Sequence, residues 1–163
     1  MRGKVYGDLL PVVDRAVNDG SLAGLLRERG EADCEQDDGD DALKDLPLTS
    51  LDLDAWTQLR DLEPLKGMPL TSLICHYCPL VRDLTPLNGM PLKKLAIDGT
   101  TVTDLRPLQA MPLEDIRLTP KNITQGLDIL RNMKSLKIVG IHAYVTWPAA
   151  EFWDRYEKGE FKK

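Results

Sequence analysis

Apolar residues recur along this chain at a fixed interval. The segment PLTSLDL at residues 47–53 returns as PLTSLIC at 69–75, PLKKLAI at 91–97 and PLEDIRL at 112–118. A degenerate copy, SLKIVGI, stands at 135–141, so the successive steps are 22, 22, 21 and 23 residues. Within each copy apolar and polar residues alternate, which predicts a short strand with one buried face. Counting the first leucine as position one, the buried slots are positions four and six. They hold Leu51 and Leu53, Leu73 and Cys75, Leu95 and Ile97, Ile116 and Leu118, Val139 and Ile141.

Between the copies lies a second signature: DLEPLKGM at 61–68, DLTPLNGM at 83–90 and DLRPLQAM at 104–111. Its apolar residues are spaced by three, which predicts a short 3₁₀ or irregular turn. Proline near the start of such a turn loses no hydrogen bond. The fourth version, GLDILRNM at 126–133, lacks the proline. One strand-and-turn coil cannot bury its own apolar face, but stacked coils build a continuous core. The pattern L-x-x-L-x-L at this period predicts an α/β leucine-rich-repeat solenoid over 47–146. Short parallel strands line its concave face, 3₁₀ or irregular turns its convex face, and helical caps close its ends.

The C-terminal segment 147–163 reads as a capping helix. Pro148 suits its first position, Glu151 its first turn, Lys158 its last turn and Gly159 the residue beyond. Ala149, Phe152, Trp153 and Tyr156 share one face by spacing and would cover the last coil. Residues 1–46 read as two short helices, opening at Asp8 and Ser21, followed by an acidic linker. Trp56 departs from the pattern, standing at position nine where a small or amide residue is usual.

Charge separates these regions. Residues 1–46 carry 6 basic and 12 acidic side chains, whereas 47–163 carry 15 and 14. The whole chain, 163 residues with net charge −5, offers no basic surplus for gripping phosphates, which argues against nucleic acid as a partner. No apolar run reaches the ~20 residues of a membrane span, and no apolar region follows the basic start to make a signal peptide. Three cysteines are too few for a disulfide framework, so a reducing cytoplasm is the expected home.

The stretch Asp-Leu-x-Pro-Leu-x-Gly-Met-Pro-Leu resembles the leucine-rich repeats of planctomycete-type bacterial proteins and, more loosely, the 22-residue repeats of internalins. Residues 122–126 (NITQG), 133–136 (MKSL) and 147–153 (WPAAEFW) resemble the C-terminal repeat block behind serine/threonine kinase domains in such bacteria. The resemblance covers 44–163. It implies a binding or spacer role, because the chain has no Gly-rich phosphate loop, no His-Arg-Asp loop and no Asp-Phe-Gly. The chain is therefore expected to be non-enzymatic.

Other chemistry is absorbed by the repeat. Cys75 and Cys78 form a C-x-x-C, but no second pair follows at zinc spacing. Their register explains them as an inward slot and as position nine. Residues 35–41 (EQDDGDD) are rich in oxygens but lack the spacing of a calcium loop, and read as a solvated charge run. Neither a cofactor nor a metal is expected. Position seven gives a column of Asp54, His76, Asp98, Thr119 and His142, expected as a solvated, loosely paired row.

The expected function is non-catalytic protein–protein interaction through exposed strand positions. The contact residues proposed by register are Asp52, Asp54, Ile74, His76, Lys94, Asp98, Asp115, Arg117, Thr119 and His142. The alternative is a structural or regulatory repeat tail of a larger kinase-like protein, with no ligand of its own.

Overall fold

The computed structural model describes residues 49–142 and 144–161. The expectations for 1–46, the N-terminal helices and the acidic run, lie outside the described residues. Among the described residues, six strands form one sheet in chain order: β1 (Ser50–Asp52), β2 (Ser72–Ile74), β3 (Lys94–Ala96), β4 (Asp115–Arg117), β5 (Ile138–His142) and β6 (Val145–Pro148). β1 to β5 pair in parallel and β6 pairs antiparallel with β5. Among the described residues, β1 and β6 stand at the two ends of the strand order. Ser50, Ser72, Lys94, Asp115 and Ile138 align across it, so the pairing register follows the offsets of the sequence copies.

The inward slots fill as the alternation requires. All are buried except Ile141, which is half-buried. The exception has a local cause, because the β5–β6 register shifts between Gly140 and His142. Such a bulge turns a side chain away from the regular alternation.

The connections also form as their spacing dictates. 3₁₀ turns occupy Glu63–Leu65, Thr85–Leu87 and Arg106–Leu108, each with proline in its first two positions. Their leucines and the following methionines Met68, Met90 and Met111 enter the core. Two aspartates of the signature bind the first N–H of the turn that follows: Asp83 Oδ1 accepts the Thr85 N–H at 2.8 Å, and Asp104 Oδ1 accepts that of Arg106 at 2.9 Å.

A single glycine sets the turn that follows. Gly67 (φ +77°) follows Lys66 at ψ 125°, and Gly89 (φ +76°) follows Asn88 at ψ 128°. These are type II turns, which place a left-handed residue third. The third copy has Ala110 instead, and Gln109 turns to ψ −36°. The fourth copy has neither proline nor that glycine. There the chain continues into a true helix, α1 (Leu127–Asn132).

The C-terminal end differs from the sequence expectation in one respect. Trp147 and Pro148 belong to β6, and the helix α2 runs over Ala149–Glu157 with Pro148 as its N-cap residue. Glu151 lies in the first turn, and Gly159 (φ +85°) follows the C-cap Lys158. Phe152 is wholly buried, and Ala149, Trp153 and Tyr156 pack against the core beside it. β6 also blunts the sheet's last edge, since its proline and the bulge opposite it discourage further strand pairing.

Candidate interaction surface

The parallel register lines up the outward side chains into rows that cross the strands. Position three gives Ser50, Ser72, Lys94, Asp115 and Ile138. Position five gives Asp52, Ile74, Ala96, Arg117 and Gly140. Neighbouring members of a row are ~4.8 Å apart, the spacing between strands. Asp52 and Asp54 are exposed, while Ile74, Lys94, Asp115, Arg117, Thr119 and His142 are half-buried. Gly140 admits no side chain, because a Cβ there would lie 2.9 Å from Thr146 Cγ2 and 3.0 Å from Arg117 Cγ. The Arg117 stem and Thr146 thus lie across the β5 backbone.

Charge is uneven along this face. The β1 end presents the carboxylates of Asp52 and Asp54, and Asp52 Oδ1 accepts the Asp54 N–H at 3.0 Å. The β3–β4 end presents Lys94 and Arg117 against the single carboxylate of Asp115. The Arg117 guanidinium reaches Asp115 Oδ2 at only 3.4 Å. Asp115 Oδ1 and Arg117 Nε are buried and have no hydrogen-bond partner among the described residues.

The position-seven column departs from the expected solvated row. His76 and Asp98 are buried, at 6% and 1% exposure, and His76 Nδ1 is bonded to Asp98 Oδ1. They belong to the interior, so these two expected contact residues are corrected to a structural pair. Asp54 takes no part in it. Thr119 Oγ1 instead accepts the Gly99 N–H at 3.0 Å.

Above this pair runs an aromatic ledge. The Tyr77 hydroxyl bonds His142 Nε2, and the two rings meet edge to face at 5.7 Å. The His142 ring in turn lies 6.0 Å from that of Tyr144. Tyr77 is 45% exposed and Tyr144 91%. Tyr77 crosses the backbone of the next copy, where a Cβ on Gly99 would meet its Cδ1 at 2.8 Å.

Tyr77 and Tyr144 were not legible as contact residues from the strand positions alone. Tyr77 did leave a signal. It stands at position eight, where the next copy has Gly99, and both residues have positive φ, +52° and +75°. Ala55, at position eight of the first copy, has φ +56° as well, so the left-handed backbone recurs with the repeat and it is the tyrosine side chain that sets this copy apart. Tyr144 lies in the β5–β6 turn and left no periodic signal.

The C-x-x-C is a buried pair. The Cys75 thiol is raised well above its ordinary value by its hydrogen bond to Cys78 and by burial. Cys78 is lowered, chiefly by that bond, and its own Sγ donates to the Leu53 carbonyl at 3.2 Å. Both thiols are free. Native protein treated with iodoacetamide should therefore carry no adduct at Cys75 or Cys78 by peptide mass mapping, and both adducts should appear in denaturant. Adducts in the native protein would mean that the pair is accessible.

Among the described residues no three His, Cys, Asp or Glu side chains converge to hold a metal ion. No described helix is long and apolar enough to cross a membrane. Compared with known proteins, the chain matches no family model, no curated protein and no solved structure.

Proposed function

We propose that this chain is a non-catalytic leucine-rich-repeat solenoid that binds another protein through its outward strand rows and the ledge beside them. The observation that carries this reading is the ledge Tyr77–His142–Tyr144, exposed next to aligned rows of half-buried strand side chains. Tyrosine is among the residues that dominate binding hot spots, because it brings a large rigid surface with a polar tip. The repeated strand register and the proline-opened turns support the repeat class. The free buried thiols fit a reducing cytoplasm.

Affinity capture from native lysate tests the reading. A protein held by the wild type should be lost with Tyr144→Ala and with the double variant Asp52→Lys/Arg117→Glu. It should be kept by Glu63→Lys, which changes the exposed turn on the opposite side. Tyr144 is so exposed that its removal should shift stability by less than ~0.5 kcal/mol, so a lost partner reports on binding. Equal capture by all variants would overturn the proposed face. Capture of nothing would favour the structural-tail reading.

A further inference from the structure

We infer that the position-five row reads an extended peptide of the pattern base-x-apolar-x-acid laid across the strands. This inference rests on the interaction reading above and names the chemistry of its partner.

The geometry begins with the ends of the row. Asp52 on β1 and Arg117 on β4 are three strand steps apart, ~14 Å at the usual spacing. An extended chain advances ~3.4 Å per residue and points alternate side chains to one side. Residues i and i+4 therefore face the row ~14 Å apart, which matches Asp52 and Arg117. The side chain of i+2 falls ~7 Å along, between Ile74 and Ala96. Ala96 is wholly covered and Ile74 is half-buried, so Ile74 is the apolar side chain of the row that an i+2 residue can meet.

Charge complementarity then fixes the occupant. The acidic end carries Asp52 with Asp54 beside it, and no basic residue stands in the β1 row positions. The other end carries Arg117 with Lys94 on the neighbouring strand, opposed by Asp115 alone. A ligand with a base at one end and an acid at the other meets an opposite charge at each.

The test uses fluorescein-labelled nonapeptides and fluorescence polarisation on the full chain. The probes are Gly-Ser-Arg-Ser-Leu-Ser-Glu-Ser-Gly, its reverse, and two like-charge versions with Arg or Glu at both charged places. A fifth probe separates Arg and Glu by six residues. The wild type should favour one of the mixed-charge, four-residue-spaced peptides over both like-charge peptides and over the six-residue probe, each by about tenfold.

The Arg117→Glu variant should switch preference to the peptide with arginine at both places. That gain cannot come from misfolding, so it separates recognition from damage. Equal binding of all probes, or no switch in Arg117→Glu, would overturn the inference. If the probes fail while the lysate partner still depends on Asp52 and Arg117, the peptide class falls and the interaction reading stands.

Discussion

Asp98→Ala should destabilise the protein by about 1–3 kcal/mol, the usual cost of leaving a buried hydrogen-bonding group without its partner. Asp98 is 1% exposed and bonded to His76, itself 6% exposed. Removing the carboxylate leaves the buried imidazole without its Asp98 acceptor. The double variant His76→Leu/Asp98→Leu should recover much of the loss, because an apolar pair of similar volume leaves no polar group stranded. Urea unfolding of the wild type, Asp98→Ala and the double variant measures both effects. A loss below ~1 kcal/mol for Asp98→Ala would restore the solvated row expected from sequence.

The second large effect belongs to the C-terminal end. Phe152→Ala should cost about 3–5 kcal/mol, as truncation of a buried aromatic does. Phe152 stacks on Phe161 at 5.1 Å and meets the rings of Trp147, Trp153 and Tyr156 at 6.3, 5.0 and 6.2 Å. The side chain joins α2 to the last parallel strand, where Leu130, Leu136 and Val139 lie in the same core. Loosening α2 exposes that end, and an exposed apolar end favours association. The melting temperature should fall by roughly 10 °C, with light scattering rising at the transition. A fall as small as that of Tyr144→Ala would mean that α2 is dispensable to the core.

These two sites differ in how far the sequence announces them. Phe152 stands out because its spacing with Ala149, Trp153 and Tyr156 defines one helix face. Asp98 and His76 stand out only as members of a column. Their register at a strand's outward end predicts exposure, and burial of that end depends on what lies over it. Tyr77 crosses the column from one copy to reach His142 from another, 65 residues along the chain. No local pattern reports that reach. The left-handed backbone that aims Tyr77 was detectable only by comparison with Gly99 in the next copy.

The hairpin is a similar case. A strand at Val145–Pro148 has no repeat to announce it, and its pairing depends on the edge that β5 leaves open. Trp147 reads equally well as the residue before a helix, and a proline after it hides the strand.

What the sequence alone determined is periodic and local. Alternation placed the five parallel strands, their offsets set the register, proline opened the first three connecting turns, and glycine closed the first two of them. Short-range sterics and the burial of alternate side chains are enough to fix these features. Tertiary structure alone decided the antiparallel sixth strand, the burial of His76 with Asp98, the unpaired atoms of Asp115 and Arg117, and the ledge of Tyr77, His142 and Tyr144. Each arises where residues distant in the chain are stacked side by side, and there the outcome depends on which side chain covers which.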